Sequence, residues 1–500
     1  MRSSSFILIS LSALAILAAS TTSVICDGDG RGLYGGLLAS GTGPASAEGE
    51  ALPSSQIGAR DDGKNPRGSR LSDEGGSMDV DGSMDEDGST DGDRRMDEEG
   101  SETVLDPHSV GKMMDLTGIS ALHARKISGR GVTIALLDSE FYYDNETAER
   151  LTADIVPIYA DSYGKYEVHG IACAELISSI APGVKLYLVD AGSTQEEVTA
   201  AIEGLLNLDE QIDIVSCSSD FPFGGFDGDD AVCEEVEKMT SNGTLWINAA
   251  GNQALCHWSG EFIDPDGNGF LNFSPEDESI NLTMERGDDV SIWLSWEDDR
   301  DAAALDYDLR LDYPGRGRSI SDNPQRGYRG QEPVEMIRLT APRDGTYHIK
   351  IRRYDGAGSP GRLHLFTTQD LDEHRVQNWS IGILGCCRNV ITVGAINIST
   401  LQIQPYSSRG PTEDGRQKPD LVAPDNVTTY SYISDGFAGT SAAAPFVAGC
   451  AALILELFRD DPDVDVRRVL LESSTDLGPE GPDEIYGRGL VNLSNLEVNL

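Results

Sequence analysis

From about residue 108 onward, unbroken apolar runs alternate with stretches in which apolar residues recur every three to four positions. VTIALL (132–137), VKLYLVD (184–190), IDIVSC (212–217), TLWINAA (244–250) and NVITVGA (389–395) are short and rich in β-branched residues. Runs of that length without alternation are strands buried on both faces. Between them, HGIACAELISSI (169–180), TQEEVTAAIEGLLNL (194–208) and DAVCEEVEKMT (230–240) have helical spacing, and TGISALHARKISGRG (117–131) reads as a short amphipathic helix stopped by glycine. Strands alternating with helices predict an α/β fold, a doubly wound and mostly parallel sheet covered on both faces. Near residue 260 the period changes. VSIWLSW, LDYDLRLDY, EMIRLT, TYHIKIRRY and RLHLFTT alternate apolar and polar residues between Gly, Pro, Asp and Asn turns. That period predicts an antiparallel β-sandwich over 260–378, inserted between an α/β first part (105–259) and second part (379–500).

The first 104 residues follow neither pattern. Arg2 followed by FILISLSALAILAA reads as a secretory signal over residues 1–26. Residues 27–104, with GSMDVDGSMDEDGSTDGDRRMDEEGS, hold too little apolar surface to offset the entropy of ordering, and are expected to be disordered. No other segment reaches membrane-spanning length, so the mature chain is expected to lie outside the cell, secreted or at its surface. The net charge of −46 argues against nucleic acid and against an anionic membrane surface. Only 8 of the 38 basic residues are Lys, a balance that fits either salty surroundings or an acidic secreted protein. Cysteines stand at 26, 173, 217, 233, 256, 386, 387 and 450, with no zinc-ligand spacing. Those in VSCSSD and VAGCAALIL read as buried thiols; which others pair is not legible.

Candidate chemistry gathers at element ends. VTIALL runs into Asp138, His169 opens a helix, and TLWINAA is followed by Gly251 and Asn252. GFAGTSAAAPFVAGC (436–450) is a small, uncharged stretch leading into a buried helix, with Pro445 expected in its first turn. Ser441 within it reads either as an N-cap or as a nucleophile whose oxyanion the free helical N–H groups would hold. Asp, His and Ser in that chain order match one known arrangement of a hydrolytic triad.

These segments resemble the subtilisin-like serine proteases: VTIALLDSEF, HGIACAELI, NAAGN, YSSRGPTEDGRQKPDLVAPD (406–425), GTSAAAPFVAGCAALI and YGRGLVNLSNL, in order. The resemblance covers about 108–258 and 379–497. It implies a secreted, monomeric serine endopeptidase acting on polypeptides, with Asp138, His169 and Ser441 as the triad and Asn252 as an oxyanion donor. It implies further that Ser218, Ser219 and Asp220, with Ala249, Ala250 and Gly251, line the substrate site. The chain departs from the family at Glu140, two residues after the Asp, and at Asp220, where Gly is usual. These acids, and an acidic tract where a folded pro-domain is usual, suggest two alternatives: a catalytically weak relative that binds extended peptides, or a surface adhesion protein. No cofactor is expected for the chemistry. DPDGNGF (264–270) reads either as the start of a structural calcium loop through Asp264, Asp266 and Asn268 or as an Asp/Gly-rich turn, and Pro275 stands where the loop's closing Glu is expected.

Overall fold

In a computed structural model of the chain, residues 109–496 are described, except 140, 144, 159–167, 356–360, 434–435 and 462. The signal, the acidic tract and Glu140 lie outside the described residues. The α/β part begins with α1 (Ser109–Leu116), α2 (Ile119–Ala124), β1 (Thr133–Asp138), α3 (Asn145–Arg150), β2 (Asp154–Ile158), α4 (His169–Ile180), β3 (Lys185–Asp190), α5 (Gln195–Leu206), β4 (Ile214–Cys217), α6 (Ala231–Ser241) and β5 (Leu245–Ala249). The insert holds β6 (His257–Gly260), β7 (Ile280–Met284), β8 (Asp289–Trp296), β9 (Asp306–Tyr313), β10 (Gly317–Ser321), β11 (Val334–Thr340), β12 (Gly345–Asp355) and β13 (Leu363–Thr367). The chain then returns through α7 (Ile383–Cys386), β14 (Ile391–Ile396), β15 (Leu421–Pro424), α8 (Thr440–Leu457) and α9 (Val466–Glu472).

The seven α/β strands form one parallel sheet in the order β15-β14-β5-β4-β1-β3-β2. Its two faces feed two cores because side chains alternate along a strand. From β1, Ile134 and Leu136 join α4 and α8, whereas Ala135 and Leu137 join α5, α6 and α7. The strands missed by the apolar-run reading are the two edges, β2 and β15. Each is short, and each carries a proline (Pro157, Pro424), which an edge tolerates because its outer side has no full strand partner; β15 meets only a single bridge there, Val422 to Leu490.

The insert is two antiparallel sheets, β10-β9-β12-β7 and β11-β8-β13-β6, closing on a core that includes Leu294, Tyr307, Leu309, Tyr347 and Leu365. Its first strand starts at His257, ahead of the expected 260. In β13 the alternation does not separate core from solvent. Leu363 and Leu365 fill the sandwich, while Phe366 packs with Phe226 and Ile383 on the α/β side, so both faces are covered. By length and composition, α8 is the one helix among the described residues apolar enough to cross a membrane, and most of it is buried in this core.

Cys233 of α6 and Cys387, just past α7, form a disulfide spanning 154 residues. Cys217 and Cys450 are buried free thiols, as their apolar runs predict, and so are Cys173, Cys256 and Cys386. Replacing Cys233 and Cys387 together by Ser is expected to lower the unfolding free energy by about 2–5 kcal/mol, read from denaturant midpoints. Equal midpoints for the two chains would exclude a stabilising cross-link.

Candidate functional site

The carboxyl ends of β1, β4 and β5 lie side by side, with Leu137 opposite Cys217 and Cys217 opposite Asn248. The chain passes from one side of β1 to the other between β3 and β4, and such a switch point leaves a crevice at the strand ends. Asp138, the last residue of β1, is 3 % exposed. His169, the first residue of α4, places Nδ1 2.8 Å from Asp138 Oδ2. A carboxylate oxygen accepts, so Nδ1–H is the donor of this pair. The other Asp138 oxygen accepts from Ser139 N at 2.9 Å, and Phe437 meets the imidazole in a T-shaped pair with ring centroids 5.3 Å apart.

Ser441 is not an N-cap. Gly439 takes that position without a side-chain cap, and Ser441 is the second residue of α8, half-buried where Thr440 and Ala442 are fully covered. Gly439 has φ +103°, a backbone that residues with a Cβ rarely adopt. Its N–H is held by Asp425 Oδ2 at 3.0 Å and lies 3.2 Å from Tyr406 Oη. Tyr406 also donates to the Asp425 carboxylate. Gln404 Nε2 donates to Asp425 Oδ1 at 2.6 Å, and burial raises the pKa of this carboxyl. The stretch 406–425 therefore acts by clamping the turn before Ser441.

Pro445 lies deeper than the first turn: it is the sixth residue of α8. Its missing N–H would have bonded the Ser441 carbonyl four residues earlier. That carbonyl instead accepts from Cys173 Sγ at 3.5 Å and Ser218 Oγ at 3.4 Å. Cys173 also lies 3.8 Å from Asp138 Oδ2. Burial first, and the Asp138 charge second, push its thiol pKa well up, so it remains an S–H donor. The donor atoms of Asp138, His169 and Cys173 all fall within 4.8 Å of one another. Cys173 thus ties the Asp–His pair to the first turn of α8. Its signal in the sequence is the spacing of four from His169, which puts both on one helix face.

Asn252 follows β5 and is exposed. Its Oδ1 accepts from Thr440 N at 3.0 Å and from Thr440 Oγ1 at 3.1 Å. With the oxygen engaged, Nδ2 is the free donor, and a Cβ at Gly439 would sit 3.0 Å from it. Thr440 Oγ1 in turn accepts from Gly251 N at 3.1 Å. Thr440, Asp425, Tyr406 and Cys173 are the supporting residues that sequence reasoning did not single out.

The remaining candidates sit around this centre. Ser219 O accepts from Asn248 Nδ2 at 3.3 Å. Ala249, Ala250 and Gly251 are buried, and their backbone is partly engaged within the fold: Ala250 N donates to Val393 O and Gly251 O accepts from Ser408 N, both at 2.9 Å. Asp220 accepts from Phe221 N at 2.9 Å and from the Gly382 amide. It needs glycine on both flanks, because a Cβ at Gly251 or Gly382 would come within 2.6 or 1.7 Å of its carboxylate. Burial pushes its carboxyl up to about 8, against those two amide bonds. Apart from this centre, Asp264 Oδ1 and Oδ2 accept from Gly267 N and Gly269 N at 2.8 and 2.9 Å, and Asn268 Oδ1 accepts from Phe270 N at 2.8 Å. The oxygens expected to meet calcium are bonded to the loop's own amides.

Residues 330–489 match the model of the subtilase family of S8 peptidases. Serine protease AprX of Bacillus subtilis (strain 168) is 35 % identical over 136 residues, 22 % of this chain. Serotype-specific antigen 1 of Mannheimia haemolytica is 42 % identical over 55 residues, 11 % of this chain. The matched stretches span 30 % and 6 % of those two relatives. Among solved structures, the CspB protease of Clostridium perfringens superposes with a TM-score of 0.56 at 16 % identity, covering 78 % of this chain and 98 % of that one.

Proposed function

Because this chain belongs to the subtilase family, we propose that it is a serine endopeptidase that cleaves polypeptides through an acyl-enzyme. The observation that carries the proposal is the 2.8 Å Asp138–His169 pair, joined through Cys173 to the backbone of Ser441. In this reading Ser441 Oγ attacks the scissile carbonyl carbon while His169 Nε2 takes its proton. Asp138 keeps the Nδ1–H tautomer in place and stabilises the cation that forms. Asn252 Nδ2 and the Ser441 N–H receive the oxyanion. His169 then gives the proton to the departing amine. Water repeats the sequence on the acyl-enzyme, so the peptide is hydrolysed and Ser441 restored. No metal or cofactor has a step in this cycle. Calcium at Asp264, Asp266 and Asn268 is kept as a structural proposal only, and it would compete there with three backbone amides.

Glu140 and Asp220 motivate the alternative of a weak, peptide-binding relative, and Glu140 lies outside the described residues. Burial raises the Asp220 carboxyl pKa to about 8, and its oxygens are held by the Phe221 and Gly382 amides. The proposal places the mature enzyme outside the cell, on the strength of Arg2 and the apolar run after it.

A serine-directed phosphonate tests the reading. It is expected to label folded protein at Ser441, and Asn252→Ala is expected to slow both labelling and peptide hydrolysis by about 10²–10³-fold, the usual cost of one oxyanion donor. Folded protein that takes no label would leave the peptide-binding alternative standing.

A further inference from the structure

At one edge of the inserted sandwich, the turn Ser274–Asp277 ahead of β7 meets the segment 371–376 that follows β13. Asp277, Glu373 and His374 bring one donor atom each to within 4.8 Å of one another. His374 Nε2 lies 2.9 Å from Asp277 Oδ2, and the ring of Phe273 stacks on the imidazole with centroids 5.8 Å apart. Glu373 sets the group apart from ordinary surface acids. Its Oε1 is sealed from solvent and has no hydrogen-bond partner. A carboxylate oxygen in that position is costly unless something neutralises it.

The backbone on either side of the pair is held. Leu371 N donates to Leu255 O at 3.1 Å, Asp372 N to Asn281 O at 2.9 Å, and Val376 N to His257 O at 2.9 Å. Thr283 Oγ1 adds a bond to Asp372 Oδ2 at 2.8 Å. The donors are therefore presented by a fixed strap and a fixed turn, the condition under which a first coordination shell is preorganised.

We propose that Asp277, Glu373 and His374 form a divalent-cation site, and that the ion it fits is zinc. Two carboxylates offset a charge of +2. Three N/O ligands at a half-exposed site leave a fourth position for water, a set that suits zinc. Calcium prefers six to eight oxygens, and here an imidazole takes one place. The copper(I) and iron–sulfur alternatives call for thiolates, which this group lacks. Zinc bound here cross-links the start of the sandwich to the strap that carries the chain back to the α/β sheet. It gives the Glu373 carboxylate a partner and uses none of Asp138, His169 and Ser441.

The test uses the full chain, stripped with a chelator and titrated with zinc chloride by calorimetry and thermal melting. Wild type is expected to take up an equivalent of zinc that Glu373→Gln binds at least about tenfold more weakly, since even outer-shell partners are worth 10–100-fold. Zinc is expected to raise the melting temperature of wild type and to leave that of Glu373→Gln nearly unchanged. Asp277→Asn serves as the second variant should Glu373→Gln fold poorly, with the same expectation. Zinc can also meet Asp138, His169 and Cys173, but an equivalent bound there inhibits hydrolysis and survives both variants. Equal zinc affinity in wild type and Glu373→Gln overturns the proposal. So does the absence of any uptake, or uptake of calcium without zinc.

Discussion

Ser441→Ala is expected to abolish peptide hydrolysis while leaving the fold intact. Removing the nucleophile of such a triad lowers kcat by about 10⁶-fold, and what remains reflects binding and oxyanion donors alone. The fold should tolerate the change for local reasons. Ser441 is half-buried at the second position of α8, and Ala is the better helix former. The bonds that seat this turn go to its backbone: Cys173 and Ser218 meet the Ser441 carbonyl, and Asp425 holds the Gly439 N–H. The measurement is kcat on a peptide substrate beside a thermal melt. A variant that melts like wild type yet retains more than about a thousandth of its kcat would remove Ser441 from the nucleophile's role.

Asp138→Asn is expected to cost about 10⁴ in kcat, close to 5 kcal/mol of transition-state stabilisation. An Asn amide no longer demands the Nδ1–H tautomer, so the proton is free to move to Nε2, the atom that has to accept from Ser441. The amide also brings no charge to steady the imidazolium. KM should change little, because the residue is buried behind the His169 ring and acts on the substrate only through it. A loss of less than about tenfold would mean that another group orients His169. Cys173 provides an internal check. Its thiol lies 3.8 Å from the same carboxylate oxygen, so the variant also perturbs the link to α8, and a melt separates that effect from the chemistry.

Much of the centre was legible because each of its residues ends an element whose periodicity is strong. Asp138 closes a six-residue apolar strand, and His169 opens a helix recovered residue for residue as His169–Ile180. The run around Ser441 announces itself by small residues, since a turn at φ +103° is strained for any residue with a Cβ and one at Gly439 would press on the Asn252 amide. The supporting residues were less visible. Asp425 acts through Gly439, Tyr406 and Gln404, and Thr440 acts through Asn252, across separations at which sequence spacing carries no signal. The composition puts Pro445 in the first turn, whereas α8 begins at Thr440 and Pro445 is its sixth residue, with the Gly439 N–H before it bonded to Asp425.

By itself the sequence determined the five central strands and the main helices of the α/β part, that the sheet is parallel and buried, that a sandwich interrupts it, and that Asp138 and His169 stand at the ends of elements. Those properties follow from side-chain period and local backbone freedom, and both are written in neighbouring residues. Only the tertiary structure decided which cysteines join, because Cys233 and Cys387 are 154 residues apart and nothing local marks the pair. It alone buried both faces of β13, set Cys173 between Asp138 and Ser441, and brought Asp277 to Glu373 and His374. Each of these is a contact between elements distant in the chain, and such contacts exist only once the layers have packed.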